Sequence, residues 1–436
     1  MYRPIQLKDA TTPLMKKQLI RLSARVSMLI LLAVCSAIPL SAQQSSVSTS
    51  LGIRPPGLAR SPGNLANVRS AAEIPSLPAT TPHWSSDFRA TIDTVLTLPS
   101  AVYDQTTNTM IVFGGLSATL ADAGYDTNAV LLNAPATGSG VWSTLIANGT
   151  AGSPPARDSH SAVYDSVNNR MIIFGGEVYS SQTGLNDVWV LSNANGQGGT
   201  PTWTQLSPSG SLPTARELHS AVYDATNNLM TVFGGATSSG QPLSDVWVLS
   251  HANGLGGTPA WTRLLPTGGL PTGLYGHTAI YDSTNNIMTV FAGINSANTS
   301  ATNGVYTLSH ANGLGGTPLW TRLLGNGASG SPAKRESPTA VYDPANNRMI
   351  IFGGGPLSPN PDTTGAFNDV WVLSNANGIG GTPVWTKLRP SGGPPGTRFF
   401  HTAVYDAVNN LMVIFGGDND EALYFVTWVL SDANGL

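Results

Sequence analysis

Short apolar runs alternate with polar turns along most of the chain, and the same order of runs returns at regular spacing. In its second appearance the order is HSAVYD (160–165), a turn SVNN, RMIIFGG (170–176), a variable loop, NDVWVLS (186–192), a Gly-rich loop and TPTWTQL (200–206). Each run is rich in β-branched or aromatic residues and is bounded by Asp, Asn, Gly or Pro, so it reads as a strand, four to a unit. The dipeptide Tyr-Asp marks six units, at Tyr103, Tyr164, Tyr223, Tyr281, Tyr342 and Tyr405, at intervals of 61, 59, 58, 61 and 63 residues. Asn-Asn pairs such as Asn168-Asn169 and Asn227-Asn228 tolerate the left-handed backbone of a tight hairpin and join the first two strands. The run MIIF is apolar on both faces, as a strand sandwiched between neighbouring sheets must be. Four-stranded antiparallel sheets repeated around an axis hide most of their edges, and the pattern predicts an all-β, six-bladed β-propeller.

The ends of the chain predict how the ring closes. The last unit stops at SDANGL, before its fourth strand, whereas an orphan Thr81-Pro82-His83-Trp84 precedes the first unit and matches Thr200-Pro201-Thr202-Trp203. The segment around Trp84 is therefore expected to complete the last blade. Counting fourth-strand tryptophans then gives Trp84, Trp142, Trp203, Trp261, Trp320 and Trp385, one for each unit. The match decays after Trp84, where Asp87 replaces the Leu206 type, and simple truncation at the C-terminus is the alternative.

These motifs resemble the Kelch repeat, a propeller family that includes the central domain of galactose oxidase, over roughly Trp84 to the C-terminus. The resemblance rests on Arg-x-x-His, a strand, Phe-Gly-Gly, Asn-Asp-Val-Trp and a separated Trp, in register six times. Phe-Gly-Gly stands at Phe113, Phe174, Phe233, Phe352 and Phe415, with Phe291-Ala292-Gly293 as the departure. The third-strand aromatic is Trp189, Trp247, Tyr306, Trp371 or Trp428, with Val130 in the first unit.

Candidate chemistry lies just before Tyr-Asp. An arginine precedes the tyrosine by seven residues at Arg157, Arg216, Arg335 and Arg398, and a histidine by four at His160, His219, His277 and His401. Leu96 and Pro99, Leu274, and Pro338 break the pattern in the first, fourth and fifth units. The resemblance implies that this segment is the innermost strand, with arginines that can face the ligand-binding end of the channel. Such a set of rigid donor forks would favour an anionic or sugar-acid ligand. The competing reading makes the same residues struts between blades.

Catalysis finds less support. A galactose-oxidase cofactor needs a cysteine, and the one cysteine, Cys35, precedes the repeats. Sialidase boxes are replaced by Ser-x-Ala-Asn-Gly, as at Ser192 to Gly196. Glu177, Glu217 and Glu336 are available for acid–base work but form no visible pair. Asp418-Asn419-Asp420-Glu421 gathers oxygen ligands without the glycine and spacing of an EF-hand loop, so no metal and no cofactor are expected. The expected function is a binding or interaction module for a protein or glycan, monomeric, with a carbohydrate-active enzyme of the sialic-acid epimerase type as the alternative.

Charge and leader complete the reading. From residue 43 onward 15 basic side chains face 23 acidic ones, which argues against nucleic acid as a partner. Residues 15–42 combine basic residues, an apolar stretch centred on Met28 to Val34 and small Ser41-Ala42, the layout of a secretory signal peptide. The apolar run is short for a permanent membrane anchor and Pro39 follows it. Cleavage before Cys35, as in a bacterial lipoprotein, is the alternative, though Val34 stands where that signal wants a small residue. Met1, Met15 or Met28 is the start. The expected organisation is a signal peptide (1–42), a Ser/Pro/Ala-rich linker (43–80) and a propeller (81–436), secreted by a bacterium or held in its periplasm or envelope.

Overall fold

The computed structural model describes residues 81–436 apart from 89–95, 119–122, 126–128, 134–139, 179, 270, 296–300, 357–364, 420–423 and 425. The leader and linker expected over 1–80 lie outside the described residues. Among the described residues the larger sheets are five of four strands and one of five, and in each the four strands of the repeat pair antiparallel in the order the repeat dictates. In the second unit the strands are Ser161–Asp165, Arg170–Phe174, Val188–Ser192 and Thr202–Leu206, from the axis outward. The five-stranded sheet carries the same four strands plus Thr267–Gly268, which adds in parallel to the outer strand Leu319–Leu324.

The inner strands Ser100–Asp104, Ser161–Asp165, Ser220–Asp224, Thr278–Asp282, Thr339–Asp343 and Thr402–Asp406 touch one another in sequence, and the last touches the first. The chain is thus a closed all-β propeller. The expected closure is present: His83–Phe88 pairs antiparallel with Thr427–Ser431, placing Trp84 opposite Leu430 as the outer strand of the last unit's sheet. Its edge is also held from the preceding unit, where Trp84 N–H donates to the Ser391 carbonyl at 2.9 Å.

The core is divided among the seams between blades. Second strands such as Met171–Phe174 are fully buried on both faces because each face meets a different neighbour. At every seam the Phe of Phe-Gly-Gly meets the outer-strand Trp of the next unit: Phe113 with Trp203, Phe174 with Trp261, Phe233 with Trp320, Phe291 with Trp385, Phe352 with Trp84 and Phe415 with Trp142, at 4.7–5.3 Å between centroids. The hairpin asparagines adopt the expected left-handed backbone, Asn169 at φ 52° and Asn228 at φ 54°.

Candidate functional site

The segment before each inner strand runs over one end of the channel and carries the repeated arginines and histidines. Arg157 is 1% exposed, and it turns its fork into its own blade. Its Nη1 and Nη2 donate to the two carboxylate oxygens of Asp187 at 2.6 and 2.8 Å, Nη1 also donates to Gly175 O, and Nε donates to Pro155 O. Arg216 with Asp245 and Arg335 with Asp369 repeat the arrangement. Each aspartate also accepts the indole N–H of the third-strand Trp two residues on, at 2.7 Å. Burial pushes these carboxyls up, but the hydrogen bonds and charge of the arginine outweigh it and hold Asp187, Asp245 and Asp369 below the ordinary carboxylate range.

The expectation that these arginines present donors to a channel ligand is therefore corrected for Arg157, Arg216 and Arg335, because their donors are already engaged within the blade. The units themselves carried a signal for this. Arginine and aspartate occur together in the second, third and fifth units, and both are absent from the fourth, which has Leu274 and Gly304. The last unit keeps Arg398 but has Val426 at the aspartate position; there the guanidinium lies 4.0 Å over the Tyr424 ring and donates to Gly396 O and Gly416 O. Burial lowers Arg398 to about 10.

The histidines join blades. Nε2 of His160, His219, His277 and His401 hydrogen-bonds the hydroxyl of Ser100, Ser161, Ser220 and Thr339 on the preceding inner strand, at 2.6–2.8 Å. Each imidazole also lies at an angle to the preceding unit's Phe, 5.1–5.3 Å between centroids. The first glycine of Phe-Gly-Gly makes room for it: a Cβ on Gly114, at φ +68°, would stand 2.8 Å from His160 Cε1 and 2.7 Å from the Arg157 carbonyl. The departure at Ala292 falls before the fifth unit, whose histidine position is Pro338, so no imidazole needs that space. Burial, then the Arg157 charge, lowers His160 to about 3; burial lowers His277 to about 3 and His219 and His401 well below the ordinary value.

The four imidazoles border a channel mouth of about 130 Å³, together with the residue just before the histidine or proline position in each unit. Leu98, Ser159, Leu218, Gly276, Ser337 and Phe400 all have φ between 50° and 60°. For a non-glycine residue that backbone costs about 1–2 kcal/mol. They are linked head to tail: Leu98 N–H donates to Phe400 O, Ser159 to Leu98, Leu218 to Ser159, Gly276 to Leu218 and Ser337 to Gly276, at 2.7–3.4 Å. Among the described residues this ring is open at one step, from Phe400 to Ser337. Sequence reasoning passed over these residues because their side chains share no type; their signal was position, one residue before His or Pro in every unit.

One residue further out stand Thr97, Asp158, Glu217, Tyr275, Glu336 and Phe399. Backbone bridges join Asp158 to Glu177 and Phe399 to Asp418, so five acidic residues lie in the turns beside this mouth, of which Asp158, Glu177 and Glu217 are buried and Glu336 and Asp418 are part exposed. Thr97 Oγ1 donates to Asp418, while Asp420 and Glu421 of the acidic run lie outside the described residues. Among the described residues no group of three or more His, Cys, Asp or Glu side chains is placed to hold a metal ion, and no helix is long and apolar enough to cross a membrane.

Known proteins with this architecture include the solved structure of YjhT, which superposes with a TM-score of 0.56 at 16% identity over 79% of this chain and 97% of that one, a likeness of fold alone. Adagio-like protein 3 of Oryza sativa subsp. japonica is 29% identical over 292 residues, 65% of this chain and 41% of that protein. Kelch domain-containing protein 3 of Bos taurus is 29% identical over 224 residues, 51% of this chain and 52% of that protein. The chain thus spans about half, or less, of the length of these curated relatives. With matches over residues 98–255, 197–308 and 256–431, nearly the whole ring, the chain belongs to the KLHDC2/KLHL20/DRC7 Kelch-repeats domain family.

Proposed function

We propose that this protein is an exported, six-bladed interaction module that takes a partner at the mouth bordered by Leu98, Ser159, Leu218, Gly276, Ser337 and Phe400. The observation that carries the reading is the ring of left-handed backbone at that mouth. Five of its six members are not glycine, and backbone strain repeated at one rim collects where a surface is shaped for contact. The rim also differs from blade to blade in side chain, from Leu98 to Phe400, as selective recognition requires.

The chemistry favoured is basic or hydroxyl-rich. Arg157, Arg216 and Arg335 are engaged by aspartates, and the acidic residues nearest the rim surface, Glu336 near Tyr275 and Asp418 bridged to Phe399, are part exposed, a combination suited to Lys or Arg side chains of a polypeptide. Screening the purified protein against parallel arrays of basic peptides, acidic peptides and glycans tests the assignment. Selective capture of basic peptides that weakens in Glu336→Gln and Phe400→Ala variants supports it. Capture of acidic glycans unaffected by those changes sinks it.

A further inference from the structure

The opposite end of the channel holds a second cavity, of about 330 Å³ and open to solvent. Its wall is built by one tyrosine from each unit, Tyr103, Tyr164, Tyr223, Tyr281, Tyr342 and Tyr405, over a floor of the inner-strand valines and Ile280. Each hydroxyl donates to the second residue of a hairpin pair, such as Tyr164 to Asn169 at 3.0 Å and Tyr405 to Asn410 at 2.9 Å, which fixes the rings. The rings are half-buried and border the funnel.

Behind each tyrosine comes an aspartate, and Asp104, Asp165, Asp224, Asp282, Asp343 and Asp406 are all buried at this end. Their oxygens are satisfied by neutral donors. Asp165 Oδ2 accepts Asn168 Nδ2 at 2.7 Å and Asn253 Nδ2 from the next blade at 2.6 Å, while Oδ1 accepts two backbone N–H groups. Cations are sparse: Arg170 and Arg348 lie across the strand from Asp165 and Asp343, whereas the cross-strand neighbours of Asp104, Asp224, Asp282 and Asp406 are Thr109, Leu229, Ile287 and Leu411. The turns and loops around the funnel, SVNN, ATNN, STNN, PANN and the Asn-Gly loops, add no lysine or arginine of their own.

We propose that this tyrosine-lined funnel binds a small organic cation of the quaternary ammonium class. Six half-buried tyrosine rings lining one cavity supply π-electron density to a positive charge carried on apolar groups, and the buried carboxylate next to each tyrosine adds a negative field. A hard metal ion fits less well, because it needs oxygen lone pairs that asparagine and backbone donors already occupy. A neutral apolar guest would fill the space but gain nothing from the field. This site is separate from the mouth discussed above, and the two readings stand or fall independently.

Tetramethylammonium chloride is the probe, titrated into the protein at low ionic strength while tyrosine ring resonances are followed by NMR. Saturable shifts are expected, with an affinity at least about tenfold above that of a neutral near-isostere, 2,2-dimethylpropan-1-ol, which has the same branched shape plus one hydroxyl. Tyr281→Leu should weaken binding by about tenfold, whereas Tyr281→Phe, which keeps the ring and loses the hydrogen bond to Asn286, should retain it. Equal affinity for the neutral alcohol, displacement of the probe by equimolar calcium, or a folded Tyr281→Leu variant that binds as tightly as the parent would each overturn the proposal. So would the absence of saturable shifts up to roughly 50 mM probe.

Discussion

Trp84 and Phe352 meet at 5.3 Å between ring centroids with their planes 65° apart, joining the start of the described chain to the fifth unit. This is the same Phe–Trp seam that Phe174 and Trp261 form between consecutive units, so the N-terminal strand occupies an outer-strand place made for it. Trp84 is 1% exposed, and Trp84→Ala should cost about 3–5 kcal/mol in denaturant unfolding. Deleting residues 43–75 should leave stability nearly unchanged, while deleting 43–90 exposes the edge of Thr427–Ser431 and should cause aggregation. Equal melting temperatures for the two deletions would place the closure elsewhere.

The Arg157–Asp187 pair is bidentate, with the Arg157 side chain fully buried and that of Asp187 18% exposed. Replacing Arg157 or Asp187 alone by alanine should destabilise by about 3–5 kcal/mol, since each change leaves the other charge buried. The double replacement should cost clearly less than the sum. Arg157→Lys should fail to restore stability, because an ammonium cannot reach Asp187, Gly175 O and Pro155 O together. Partner capture at the mouth should survive in any of these variants that remain folded.

Architecture was legible in the sequence because a propeller is one unit repeated, and six imperfect copies average out the ambiguity of a single strand. Closure was legible for the same reason: Trp84 had no other place in the pattern. For the arginines the sequence left two directions open, an outward fork and a structural strut. What decides their direction is Asp187, Asp245 and Asp369, thirty or so residues on, and comparing units for joint loss of both residues would have revealed the pairing. The mouth residues Leu98, Leu218 and Phe400 were not legible, since a left-handed backbone usually announces itself as Gly or Asn. The tyrosine funnel was hidden inside the very dipeptide that served to count the units.

Gly114 and His160 depend on each other, and Ala292 with Pro338 shows what happens when both change. Gly114→Ala should destabilise by about 2 kcal/mol or more, from the left-handed backbone and the contact with His160 Cε1. Ala292→Gly should be neutral or mildly stabilising, because Ala292 already sits at φ 65°. Pro338→His should be poorly tolerated alone and improved by Ala292→Gly, giving a favourable coupling in a double-mutant cycle of melting temperatures. Additive effects would mean that the glycine serves the backbone turn alone.

Export is tested by mass. A leader cleaved after Ala42 gives a mature N-terminus at Gln43, and intact-mass measurement of the exported product should find it. A lipid-modified N-terminus at Cys35 would replace this with an anchored form, and an uncleaved chain retained in the cytoplasm would remove export altogether.

Acid should weaken the ring well before the carboxylates titrate. Histidine in an unfolded chain takes up its proton near pH 6.5, whereas burial holds His160 and His277 near 3 and His219 and His401 well below the ordinary value in the folded ring. Between those limits the unfolded state binds more protons than the folded one, so stability is fully present above pH 6.5 and falls as the pH drops toward 3. Each histidine contributes a slope of at most about 1.4 kcal/mol per pH unit, and four act together. Asp187, Asp245 and Asp369, held low by their arginines, add a second loss only below about pH 4. Guanidinium unfolding from about pH 7.5 down to about 4.5 should therefore show a steady decline that begins near pH 6.5. His277→Gln, which keeps a side chain able to reach Ser220 Oγ, should flatten that decline by about a quarter while lowering stability at neutral pH. A profile that stays flat to pH 4.5 would show that the imidazoles gain their protons without leaving the seams.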